Sequence, residues 1–192
     1  MTKEALKIAR IDTAMVVTFT RPEIRNPLSV AVVEQLNNIL DDAESDVSID
    51  KIILTGSDNV FASGADLREI SALLPTDAPA FARRGQVLMG KIASSRHKTI
   101  AAITGFCFGG ALDLALACDT RIASPNSQFA HPGANLGIIT GWGGTQRLPR
   151  LVGRGNALEM FFTAAPISAE KALKIGLIDE IADDPLGTAL LS

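Results

Sequence analysis

A chain of 192 residues, 47% hydrophobic and 20% charged, is long enough and apolar enough to close a buried core, which excludes a disordered segment. A formal net charge of -3 and a pI of about 5.4 give no basic field to recruit nucleic acid. The most apolar stretch, residues 100–118, is interrupted by Gly105, Gly109, Gly110 and Asp113, which excludes a membrane span.

The elements follow in order. Residues 6–11 and 15–20 read as two strands joined by a hairpin turn at Asp12-Thr13. Arg21-Pro22 ends the second, because proline has no N–H to give to a ladder. Ser29 suits the N-cap of a helix running to about Asp46, with Val32, Val33, Leu36, Ile39 and Leu40 on one stripe. Residues 51–55 form the short apolar run of a buried strand, closed by Gly56. A loop over 57–64 leads into a helix over 65–73. Pro75 and Pro79 mark a surface loop, and residues 80–96 carry an amphipathic helix. A strand over 99–104, a glycine-rich turn over 105–110, a small-residue helix over 111–117 and a strand over 120–123 come next. Residues 133–144 read as a loop, and 145–150, 156–163 and 168–175 as helices, the last capped by Ser168. Strand–loop–helix units recur without a strict repeat, which gives a single α/β domain over residues 1–192.

Two strand-to-helix turns draw attention, Phe61-Ala62-Ser63-Gly64-Ala65-Asp66-Leu67 and the stretch from Gly105 through Gly109-Gly110 to Asp113. The first N–H groups of a helix lack internal partners and sit in a positive potential. Two of them converging on one oxygen make an oxyanion hole. Spacing alone does not separate such a site from glycines that serve turns and close packing. Asp113 is the sharper signal, a lone carboxylate in the apolar run 111–117 and one helical turn after Gly110. It reads as either a functional acid or a structural carboxylate paired within the core. His131, in Phe129-Ala130-His131-Pro132-Gly133, reads first as a hydrogen-bonded loop histidine, and Trp142 as a pocket wall or ordinary packing. Cys107 and Cys118 lack CxxC spacing and read as buried free thiols. No nucleotide-binding, serine-hydrolase or zinc-protease motif is present. MTKEALKIAR lacks a signal-peptide core, so a cytoplasmic location is expected.

Taken together, the segments resemble the enoyl-CoA hydratase/isomerase (crotonase) family. They are Arg25-Asn26-Pro27-Leu28-Ser29, Phe61-Ala62-Ser63-Gly64-Ala65-Asp66-Leu67-Arg68-Glu69, Gly109-Gly110-Ala111-Leu112-Asp113-Leu114-Ala115, Gly143-Gly144-Thr145-Gln146-Arg147-Leu148 and Gly176-Leu177-Ile178. They occur in the family's order and span most of residues 6–183. The resemblance implies a spiral of repeated β-β-α turns and a homo-oligomer, a trimer or a hexamer. It implies that the N–H groups of Ala65 and Gly110 hold the oxygen of an acyl-CoA thioester, with Asp113 as acid/base. The implied binding set is Arg25, Leu28, Ala62, Ala65, Asp66, Leu67, Arg68, Gly110, His131, Gly133 and Trp142, with no cofactor beyond the CoA moiety and no nucleic-acid or membrane partner. The implied reaction is addition of water to a 2-enoyl-CoA.

Two departures bear on that reaction. The family's first glutamate falls on Asp113, one methylene shorter, and its second on Gly133, which has no side chain. A single acid keeps isomerisation, thioester hydrolysis, decarboxylation or plain CoA-thioester binding open beside hydration. Family members also continue as further helices that close the acyl pocket, so a fold shortened at its C-terminal helical part is expected.

Overall fold

The computed structural model describes residues 4–192. The chain opens with the expected hairpin, β1 (Leu6–Ile11) and β2 (Ala14–Phe19), whose antiparallel register pairs Leu6 with Phe19. Helix α1 (Val30–Ser45) starts where Ser29 accepts a hydrogen bond from the Val32 N–H, and it buries Val32, Val33, Leu36, Ile39 and Leu40. Strand β3 (Lys51–Thr55) follows, then β4 (Val60–Ala62), α2 (Leu67–Ala72) and α3 (Ala78–Ala93). The next turn of chain is β5 (Lys98–Ile103), β6 (Phe106–Phe108) and α4 (Gly110–Ala117), and the one after it is β7 (Thr120–Ala123), β8 (Gln128–Ala130) and α5 (Gly144–Thr163). The chain closes with β9 (Ile167–Ser168), α6 (Ala169–Lys174), β10 (Glu180–Ile181) and α7 (Pro185–Leu191).

These strands form two sheets, one of six strands in the order β1-β2-β3-β5-β7-β10 and one of four in the order β4-β6-β8-β9. Each repeat places one strand in the large sheet, turns a corner, places a short strand in the small sheet and returns through helix. Within the large sheet β2, β3, β5, β7 and β10 run parallel, so their interior strands are covered on both faces and read as unbroken apolar runs. One core fills the space between the sheets and the helices, with Phe19, Phe61, Leu88, Met89 and Phe129 almost fully buried. A second, smaller cluster lies on the opposite face of the large sheet, where α7 covers Val16, Ile53, Ile100 and Ile122.

The structure departs from the sequence reading at several points. The loop expected over 57–64 contains β4, the glycine-rich turn expected over 105–110 contains β6, and β8, β9, β10 and α7 are also additional. The helix expected from Ala65 begins at Leu67, with Asp66 as its N-cap. The two helices expected over 145–150 and 156–163 form one element, broken at Gly153, whose φ of 80° and ψ of 158° are not helical.

The corner after β2 is fixed by Asn26, which is 3% exposed and left-handed at φ 47°. Its Oδ1 accepts from the Arg21 N–H at 2.7 Å, and its Nδ2 donates to the carbonyls of Val60 and Phe61 at 2.9 and 3.1 Å. Asn26→Ala would remove the acceptor of the Arg21 N–H and the side-chain donor of the Phe61 carbonyl, while the Val60 carbonyl keeps the Ser57 N–H. The variant is expected to lose about 1–3 kcal/mol of stability in urea denaturation.

Candidate active site

The first wall of the site is the turn from β4 into α2. Gly64 adopts φ +90°, a conformation favouring glycine. The Leu28 N–H donates to the Gly64 carbonyl at 2.8 Å, the Ser63 N–H donates to the Arg25 carbonyl at 2.9 Å, and Leu28 and Ala65 form a parallel bridge. Ala65 therefore presents its N–H from an extended segment held against Leu28. It is not a helix-start donor, because α2 begins two residues later. Asp66 caps α2 by accepting from the Arg68 N–H at 2.9 Å, and its carboxylate also pairs with the Arg68 guanidinium at 2.7 Å. That guanidinium, the main cause, holds the Asp66 carboxyl below its ordinary range.

The second wall is the turn from β6 into α4. The Gly109 N–H donates to the Ala130 carbonyl at 2.8 Å, and Gly110 opens the helix, so its N–H has no intrahelical acceptor. The two turns touch. A Cβ placed on Gly64 would lie 2.7 Å from the Gly110 nitrogen, and one on Gly110 would lie 3.3 Å from the Ala65 nitrogen. Among the described residues neither the Ala65 nor the Gly110 N–H donates to an acceptor in the chain. Both residues border a cavity of about 330 Å³, walled mainly by apolar groups including Leu67, Ile70, Phe81, Trp142 and Phe161, with His131 and Thr140 among its polar ones. The Trp142 ring is wedged between α3 and α4, where it touches the backbone at Gly85 and Gly110 and packs against Phe81 with ring centroids 5.7 Å apart.

Behind this wall sits Asp113, with no exposed surface. Its Oδ2 accepts a short hydrogen bond from the Thr140 hydroxyl. Its Oδ1 lies 3.6 Å from His131 Nε2, and neither of those two atoms has a hydrogen-bond partner. Burial, the dominant cause, pushes the Asp113 carboxyl up to about 7, against the opposing pull of Thr140 and Arg147. Burial also depresses His131 to about 4, so its imidazole is neutral at pH 7. Gly144 makes the close approach possible, since a side chain there would strike the Asp113 carboxylate.

The expected site residues separate into groups. Ala65, Leu67, Gly110, His131, Gly133 and Trp142 meet at the cavity. Leu28 and Ala62 are fully buried beneath the first turn and act as its support. Arg25 is exposed with its guanidinium 5.9 Å from the centre of the Phe106 ring, and the Arg68 side chain is 75% exposed beside Asp66. At Gly133 a Cβ would lie 2.5 Å from the Ile138 carbonyl oxygen, so the backbone has taken the space an acidic side chain would need. Thr140, Gly144 and Phe161 were not legible as site residues. Thr140 reaches Asp113 across 27 positions of sequence, and nothing local signals it.

Two sheets in a repeated strand–strand–helix spiral, with two adjacent backbone N–H groups beside a mainly apolar cavity, define the class of fold. The enoyl-CoA hydratase/isomerase family model matches residues 10–186, and the chain belongs to that family. It is 41% identical to a protein of Bacillus subtilis named as a probable enoyl-CoA hydratase, over 94% of this chain and 70% of that one. It is 37% identical to the short-chain-enoyl-CoA hydratase of Clostridium acetobutylicum, over 88% of this chain and 65% of that one. The fold superposes on the crystal structure of an enoyl-CoA hydratase from Bacillus anthracis with a TM-score of 0.93 at 32% identity, covering 98% of this chain and 74% of that one.

The raised Asp113 carboxyl has a consequence for stability. The native state holds its proton to about pH 7, while an unfolded carboxyl releases it near 3.8. Between those values the native state binds more protons, so this group's contribution is full below the lower value and is lost as pH rises through the higher one. The stability difference between wild type and Asp113→Asn should therefore fall from about pH 4 to about pH 7 and flatten above, as read from urea midpoints across that range.

Proposed function

We propose that this chain binds an acyl-CoA thioester with its carbonyl oxygen between the Ala65 and Gly110 N–H groups, and adds water across the double bond of a 2-enoyl-CoA. The observation that carries this reading is the pair of adjacent, unpartnered N–H groups at the mouth of a cavity lined by apolar side chains. Such donors act on the negative charge that develops as the thioester becomes an enolate, and each is worth about 3–4 kcal/mol of transition-state stabilisation. Polarising the carbonyl makes the β-carbon electrophilic. Water's oxygen then bonds to that carbon as one O–H bond breaks, and the α-carbon takes up a proton. The names of the relatives support the same reaction.

A second reading is isomerisation of a 3-enoyl-CoA, favoured by one observation. The Ile138 carbonyl fills the place where a second acid would project from Gly133, and moving one proton between two carbons needs only one acid/base. Turnover of crotonyl-CoA, followed by loss of its conjugated-thioester absorbance, is the expected outcome for hydration. Turnover of a 3-enoyl-CoA alone would transfer the assignment to isomerisation, and failure of any CoA thioester to bind in calorimetry would sink both.

Self-association belongs to this reading. Leu136 and Ile139, which line the cavity, are 52% and 63% exposed, and Phe162, next in sequence to the cavity-lining Phe161, is 78% exposed, apolar surface that a second copy of the chain would cover. Light scattering is expected to give the mass of a trimer or hexamer, and a monomer mass at all concentrations would exclude it.

A further inference from the structure

Asp113 is the acid that sequence singles out, yet it does not reach the cavity. Its side chain is fully buried and is absent from the cavity wall, where His131 and Thr140 stand in front of it. Each covers one carboxylate oxygen, Thr140 at Oδ2 and His131 at Oδ1. A proton passing between Asp113 and a bound molecule must therefore go through one of these two side chains. Thr140 is poorly suited, because its hydroxyl proton is already given to Oδ2 and an alcohol is a weak base. His131 has the needed asymmetry. Nε2 is the sealed nitrogen, facing Asp113 Oδ1 at 3.6 Å without a partner, and the residue lines the cavity, which leaves Nδ1 on the other edge of the ring as the nitrogen to meet a bound molecule. The ring is steadied by Phe161, with centroids 5.0 Å apart.

We propose that His131, oriented by the Asp113 carboxylate behind it, is the catalytic residue that exchanges a proton with the α-carbon of the bound thioester. This rests on the acyl-CoA reading above. In the base form Nε2–H donates to Oδ1 of ionised Asp113, and the Nδ1 lone pair faces the cavity. Nδ1 takes the α-proton, the C–H electron pair becomes the enolate double bond, and the carbonyl π pair moves onto the oxygen held by Ala65 and Gly110. Reversal returns the proton from Nδ1 to carbon, so the ring ends as it began. Asp113 is a positioning residue in this scheme, fixing the tautomer and stabilising the imidazolium that forms. Thr140 holds the second carboxylate oxygen. The other groups that bear on the pair are Arg147 of α5 and the main-chain N–H groups of Trp142 and Gly144, which act on Asp113, and the buried Cys107 thiol of β6, itself raised mainly by its burial.

The test is deuterium uptake from D2O at the α-carbon of butyryl-CoA, which requires deprotonation and reprotonation and nothing more. Binding of the same thioester is measured separately by calorimetry. The wild type is expected to bind and to exchange. His131→Gln is expected still to bind the thioester and to exchange it about 100-fold more slowly at saturation. The base form needs ionised Asp113, so the wild-type rate should rise with pH through about 7, where that carboxyl gives up its proton, and Asp113→Asn should lose that limb as its rate falls. A carboxylate with only a packing role would lower the rate and leave that limb in place. Exchange by His131→Gln at the wild-type rate, a limb near pH 7 kept by Asp113→Asn, or a wild type that binds butyryl-CoA without exchanging it would each overturn the proposal. Should His131→Gln not fold, the limb decides. Failure of the wild type to bind any CoA thioester would instead overturn the acyl-CoA reading on which the proposal stands.

Discussion

The backbone of Gly64 passes so close to that of Gly110 that a single methyl group on Gly64 would lie 2.7 Å from the Gly110 nitrogen. Much of the molecule exists to allow that approach. The first turn is pinned by the Leu28 N–H on the Gly64 carbonyl, and the second by the Gly109 N–H on the Ala130 carbonyl. Those bonds tie together the corner after β2, the end of β4, the start of α4 and the end of β8. The short second sheet, in which β4, β6 and β8 run side by side, sets the distance between the two turns. The donors are thus spaced by sheet geometry, and main-chain groups so held reorganise little when charge develops beside them.

A polar layer stands behind those donors and follows a different logic. Asp113 is placed by a helix whose residues are all buried from Ala111 to Ala117, so water cannot balance its charge. Its partners come from the loop between β8 and α5, which delivers His131 and Thr140 to opposite carboxylate oxygens. That loop also lays the Ile138 carbonyl against Gly133. One stretch of chain therefore removes the place of a second acid and supplies a neutral imidazole beside the first.

Most of the large sheet was legible in the sequence, because its strands are five or six residues of apolar, β-branched side chains flanked by glycine or proline. The caps at Ser29 and Ser168 were legible for the same local reason, since both hydroxyls accept from an N–H three residues on. The small sheet was not. Val60–Ala62, Phe106–Phe108 and Gln128–Ala130 are three residues each, too short to show a period, and they are strands only because distant segments lie alongside. The family pattern pointed to Ala65 and Gly110, which the structure places side by side, but what positions Ala65 differs from what the spacing suggested. Its N–H is set by a bridge to Leu28, not by a helix start. Asp113 was visible as a lone acid in an apolar run, whereas its seclusion behind His131 and Thr140 depends on a loop path that local sequence does not encode.

The wedge formed by Trp142 carries one more consequence. The chain contains one tryptophan and no tyrosine. That indole is 5% exposed, lines the cavity and touches the backbone that bears the Gly110 N–H. Ultraviolet emission excited at the indole band therefore arises from a single point in the molecule, beside the place where a ligand would rest. The protein contains its own optical reporter, and occupancy of the cavity can be followed in the native chain with no dye, label or coupled reaction.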